Sequence, residues 1–214
     1  MKLYHYFRSS ASYRVRIALN FKGLPWETAL VDLRAPASAQ HTPEFRAVNP
    51  QGLIPVLADG EQVITQSLAI IEYLEETHPQ PPLLPRTAAE RALVRSLALA
   101  VACDIHPLGN LRVLNYLRAN LHADDQVVNA WAGQWIGLGF AALEERVQHT
   151  SGDGLHMFGS SVTLADVCIV PQMYNARRYQ VDVAPYPRLR AICAQLESLP
   201  AFAKAAPEAQ PDAP

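Results

Sequence analysis

A chain of 214 residues, half of them hydrophobic and 18% charged, has room for one large domain or two small ones. That balance excludes intrinsic disorder, and a formal net charge of −2 gives no electrostatic reason to expect nucleic acid or an anionic membrane as partner. The opening MKLYHYF has no long apolar run after Lys2, so no secretory signal is expected, and the apolar run over 97–103 reads as too short to cross a bilayer.

The first eighty residues alternate strand-like and helical runs. An aromatic-rich first strand is expected over 2–7 and a helix over 12–22, where Val15, Ala18, Leu19 and Phe21 recur at three- and four-residue spacings. Gly23 and Pro25 stop that helix, and 26–33 returns to strand. A short helix follows over 43–48. Two strands, 54–58 and 62–64, flank Asp59-Gly60, a strong hairpin signal, and a helix over 66–77 closes the set. The order β-α-β-α-β-β-α predicts an α/β sandwich on a mixed sheet.

HPQPPLLP, residues 78–85, carries four prolines in eight residues and reads as an interdomain linker. Beyond it lie helical stretches over 87–121, 124–148, 163–179 and 186–199, with no convincing strand pair. The expected organisation is a domain over 1–80, a linker over 81–86 and an all-helical domain over 87–214, its PEAQPDAP end fraying or lying on the surface. Thr163-Leu-Ala-Asp166 has the spacing of a capping-box variant, a statement about fold. Cys103, Cys168 and Cys193 form no CxxC and read as reduced, buried small hydrophobes of a cytoplasmic protein. No pair of the seven histidines has i, i+4 spacing, so no metal is expected.

Three segments carry possible chemistry. In Arg8-Ser9-Ser10-Ala11-Ser12 a strand gives way to a helix, and serine hydroxyls there either cap the helix or donate to an anion such as a thiolate. Pro55 within Leu53-Ile54-Pro55-Val56-Leu57 implies an edge strand, a bulge or a cis bond, the last of which would turn the Ile54 backbone toward a peptide ligand. Gln66-Ser67 opens a helix whose N–H groups suit a carboxylate, or Ser67 is a plain cap.

Together RSSASYRVRIALNFKG, NPQGLIPVL, QSLAIIEYLEE and VTLADVCIVPQ resemble the zeta class of glutathione transferases, which includes maleylacetoacetate and maleylpyruvate isomerases. The resemblance runs from Met1 to Pro214. It implies a thioredoxin-like α/β N-terminal domain with cis Pro55, an all-α C-terminal domain, a homodimer, and an active site between the domains. It implies glutathione as cofactor, with Ser9 stabilising its thiolate, Ser10 and Arg8 beside it, Ile54 and Pro55 on the cysteinyl part, and Gln66 and Ser67 on the γ-glutamyl carboxylate. His106 and Asn110 fall where the family's second domain reaches the site. The family motif reads Ser-Ser-Cys-Ser where this chain has Ala11, which removes one thiol near the glutathione sulfur.

The implied reaction is cis–trans isomerisation of a maleyl substrate by reversible thiolate addition. Such substrates carry carboxylates, and bidentate arginines suit them. Arg8, Arg112 and Arg177 are the candidates, and the last two resemble the maleylpyruvate-type relatives. The alternatives are a general zeta-type transferase acting on α-halo acids or other electrophiles, and a non-catalytic binding protein on the same fold.

Overall fold

The computed structural model describes residues 1–34 and 38–214. They form two compact units, Met1–Pro82 with Ser198–Pro214, and Leu83–Glu197.

The first unit is built on a four-stranded mixed sheet in the order β2-β1-β3-β4, from β1 Lys2–His5, β2 Glu27–Leu30, β3 Val56–Asp59 and β4 Gln62–Thr65. β1 and β2 run parallel, joined through helix α1 Ser10–Phe21; the remaining pairs are antiparallel. Asp59-Gly60 makes the β3–β4 turn, with Gly60 at φ +57°, the left-handed conformation glycine adopts without steric cost. α2 Pro43–Val48 has proline at its start and its Thr42 cap, and α3 Ser67–Thr77 packs on α1. Leu3, Val15, Leu19, Leu57, Ile70 and Leu74 are fully buried and form the apolar layer that holds the helices to the sheet.

The last seventeen residues were expected with the helical domain and belong instead to the sheet unit. α9 Pro200–Ala203 packs on α1, and Phe202, Ala205 and Pro207 are buried. Phe202 among alanines and prolines supplies enough apolar surface to dock a segment whose composition alone reads as a loose tail.

The second unit is helical: α4 Ala88–Leu99, α5 Leu111–Leu121, α6 Asp125–Thr150, α7 Leu164–Arg178 and α8 Pro187–Glu197. Helix α4 packs on α7, and α8 packs on both α6 and α7. Ala88–Leu121 is long and apolar enough, by length and composition, to cross a membrane, where the run over 97–103 read as too short. It is not one α-helix, however. A π segment Ala100–Ile105 and a 3₁₀ turn His106–Gly109 interrupt it, and Asn110 is extended at ψ 144°. Pro107 has no N–H to continue the ladder, which is why the predicted 87–121 helix breaks there. The break would leave backbone groups unpaired in lipid.

Asp166 is fully buried, accepting Thr163 N–H at 2.7 Å, the Thr163 hydroxyl at 2.8 Å and Met157 N–H at 2.8 Å. Burial pushes its carboxyl up to about 6 against those donors. Glu144 of α6 caps α8, accepting the N–H groups of Arg188 and Leu189 at 2.9 Å each. Cys168 and Cys193 are buried, and burial pushes the Cys193 thiol up, whereas Cys103 is exposed, against expectation, because it lies on the solvent side of the π segment.

Candidate functional site

The sheet register explains how three distant segments meet. Tyr4 of β1 pairs with Val56 of β3, and Val56 pairs with Thr65 of β4. The end of β1, the beginning of β3 and the end of β4 therefore lie at one end of the sheet. The chain leaves β1 there toward Arg8-Ser9-Ser10, enters β3 there through Ile54-Pro55, and leaves β4 there into Gln66-Ser67.

Ser9 is the N-cap of α1, its Oγ accepting the Ser12 N–H at 3.2 Å. The cap uses the oxygen as acceptor, so the hydroxyl proton remains to be donated outward: capping and anion donation are compatible roles for one side chain. Ser9 is half-buried and Ser10 is buried. Arg8 is exposed, its guanidinium 5.8 Å from the Phe7 ring centre.

The Ile54–Pro55 bond is cis, and both residues precede the first paired residue of β3. Gln66, the N-cap of α3, is held at φ +69°, a sparsely populated conformation for a residue with a side chain. Its amide lies 3.3 Å from Gln51 Oε1, so the loop before β3 and the start of α3 are tied together. Ser67 is buried, and its Oγ accepts from Arg14 Nη1 at 3.4 Å. The same logic holds as at Ser9: an occupied acceptor side leaves the proton for a ligand. Neither α1 nor α3 has an acidic residue in its first turn, so no side-chain carboxylate in those turns offsets the partial positive charge at either N-terminus. Hydroxyl donors, two helix starts and the buried Arg14 make a donor set that fits an anionic ligand with a thiolate and a carboxylate, as glutathione is.

Arg14 and Arg16 were absent from the sequence reading. Both are buried. Arg16 Nη2 donates to Phe7 O at 2.8 Å, Nη1 to Tyr6 O at 3.3 Å and Nε to Ala205 O at 3.0 Å, so this side chain braces the turn before Ser9. Burial lowers its pKa to about 10, and burial followed by the nearby Arg16 charge lowers that of His5 to about 4. Arg14, Val15 and Arg16 in succession give no helical-face pattern that would have marked the arginines as internal.

In the helical unit His106 opens the 3₁₀ turn, Asn110 caps α5 with Oδ1 accepting Arg112 N–H at 3.1 Å, and Arg112 is exposed on the first turn of α5. These three form one local corner. Arg177 lies elsewhere in the unit, at the end of α7, paired with Glu197 Oε1 at 2.7 Å. No cluster of three or more metal-ligating side chains occurs among the described residues.

The N-terminal domain family of the glutathione S-transferases matches residues 3–82. The chain is 54% identical to a probable maleylacetoacetate isomerase of Vibrio cholerae, over 99% of this chain and 97% of that one. Among solved structures it is similar to the holo structure of a maleylpyruvate isomerase, a bacterial zeta-class glutathione S-transferase. The TM-score is 0.97 at 50% identity, with both chains fully covered. It is similar, too, to a maleylacetoacetate isomerase of Methylobacterium extorquens holding malonate and GSH, with a TM-score of 0.95 at 41% identity and full coverage of both chains. With identity of this order along its whole length, the chain belongs to the zeta class of the glutathione transferases, the class of the maleylacetoacetate and maleylpyruvate isomerases.

Proposed function

We propose that this protein is a glutathione-dependent cis–trans isomerase of maleylacetoacetate, maleylpyruvate or both. The observation that carries the reading is the convergence of Ser9, Ile54-Pro55 and Gln66-Ser67 at one end of the sheet, on two helix starts free of acidic first-turn residues.

When bound, glutathione supplies a thiolate that adds to the double bond conjugated to a carbonyl, permits rotation about the resulting single bond, and leaves again. Ser9 donates its hydroxyl proton toward the sulfur, favouring the charged form, and Ser10 adds its N–H at the helix start. Ile54 presents its backbone to the cysteinyl part. Ser67, with Arg14 behind it, and Gln66 hold the γ-glutamyl carboxylate, and His106 and Asn110 are assigned to glutathione as well. Arg8 and Arg112 take the substrate carboxylates and stabilise negative charge that develops on its carbonyl oxygen. Arg177, its charge shared with Glu197, is assigned a smaller part of the same role. Ala11 in place of the family cysteine leaves the Ser9 donor and the helix start intact.

A homodimer in the cytoplasm completes the reading. Leu93 and Leu99, exposed on α4, offer apolar surface for a second copy, and sedimentation at micromolar concentration tests it. The experiment for function is an isomerase assay with each maleyl substrate, with and without glutathione, monitoring free thiol. Turnover that needs glutathione without consuming it supports the isomerase; stoichiometric thiol loss identifies the general transferase, and failure to bind glutathione the non-catalytic protein.

A further inference from the structure

We propose that Asp212 is a positioning residue for the Ser9 donor and that Ser198–Pro214 is a built part of the glutathione site; this rests on the reading of Ser9 as the donor to the thiolate. The turn that delivers Ser9 runs from Tyr6 to Ser9 and is closed by Ser9 N–H on Tyr6 O at 3.1 Å. Two side chains hold three more polar groups of its backbone, the Tyr6 and Phe7 carbonyls and the Phe7 N–H. Arg16 donates to the carbonyls of Tyr6 and Phe7. Asp212 Oδ2, 205 residues away in sequence, accepts the Phe7 N–H at 2.9 Å. Phe7 is buried, so its N–H without that carboxylate is an unpaired buried donor, and the turn must shift to satisfy it.

The segment is folded so as to bring Asp212 back to this turn. Asn20 Nδ2 holds Ala201 O at 3.1 Å and Arg16 Nε holds Ala205 O at 3.0 Å. Gln210 Nε2 then bonds Lys204 O and Ala206 O at 2.9 Å each, doubling the chain over so that Asp212 faces Phe7. Arg16 thus joins the turn and the C-terminal segment through one guanidinium, and Asp212 joins them a second time. Two independent ties between the same partners are what a fixed geometry requires, and an oxyanion or thiolate donor loses effect when displaced by less than an ångström.

The test compares wild type with Asp212→Asn and Asp212→Ala. Asn keeps an oxygen for the Phe7 N–H without the charge, and an uncharged acceptor makes a bond roughly half as strong. Without glutathione, amide exchange at Phe7 should quicken in the order wild type, Asn, Ala. With glutathione, the pKa of the bound thiol should rise in the same order, by about one unit for Ala, and kcat at neutral pH should fall on the order of tenfold while the glutathione KM changes little. Should the Ala variant not fold, the Asn variant must still show faster Phe7 exchange and a raised thiol pKa. Unchanged exchange, or lowered thermal stability with an unchanged thiol pKa, overturns the proposal alone. A wild-type enzyme that binds glutathione without depressing the thiol pKa removes the Ser9 reading and this proposal with it.

Discussion

Lys22 Nζ lies 2.7 Å from Glu75 Oε2 with the lysine side chain fully buried, and it also donates to the carbonyls of His78 at 2.8 Å and Pro81 at 3.0 Å. One ammonium therefore joins the end of α1, the end of α3 and the segment that leaves the sheet unit. Breaking a buried pair from one side leaves an uncompensated charge. Lys22→Met is expected to cost about 3–5 kcal/mol in urea unfolding, and the double variant with Glu75→Leu to regain most of it. A double variant no more stable than the single one would show that the two carbonyl contacts, and not the charge pair, dominate.

His5 gives the sheet unit a pH dependence. Its folded pKa of about 4 lies below the usual 6.5, through burial first and the Arg16 charge second. A depressed histidine contributes stability that is present above the unfolded pKa and is lost as pH falls through the folded one. Stability should therefore drop between pH 6.5 and 4, by on the order of 3 kcal/mol for this group, and His5→Gln should flatten that slope. Urea midpoints across that range, compared between the two proteins, measure it; parallel curves would count against a neutral buried His5.

Gly139 of α6 faces Ile105, the last residue of the π segment, so closely that a Cβ would overlap the Ile105 side chain. Ile105 is itself buried at 2% exposure and has little room to move. Gly139→Ala is expected to destabilise by about 1–3 kcal/mol, visible as a lowered Tm. An unchanged Tm would mean that the π segment yields readily.

The arginines should separate by their partners. Arg8 and Arg112 are exposed, whereas Arg177 already shares its charge with Glu197. A lost hydrogen bond between charged groups is worth about 1.5–3 kcal/mol, so Arg8→Ala and Arg112→Ala should each lower kcat/KM for the maleyl substrates roughly ten- to a hundredfold. Arg177→Ala should lower it less. Equal losses at all three would show that the Glu197 pair leaves Arg177 fully engaged with substrate.

Much of the sheet unit was legible because its signals are local: Asp59-Gly60 for the hairpin, Pro43 after Thr42 for a helix start, Ser9 before an apolar periodic run. The joint position of Ser9, Ile54 and Ser67 was legible only through family resemblance, since it depends on strand register. Lys22, Arg14 and Arg16 were not legible as buried groups. A charged residue in a helix carries no mark of being internal when its partners are backbone carbonyls or residues fifty positions away. The break at Asn110 was obscured by apolar composition despite Pro107, and the docking of Ser198–Pro214 by its prolines and alanines.

Ser9 is the residue on which the proposed chemistry depends. The most direct measurement is the steady-state rate of maleyl isomerisation by wild type and Ser9→Ala, each with and without glutathione. Expected are wild-type turnover only with glutathione, no net thiol consumption, and a fall in kcat on the order of a hundredfold or more for Ser9→Ala. Isomerisation without glutathione, or an undiminished Ser9→Ala enzyme, would contradict it.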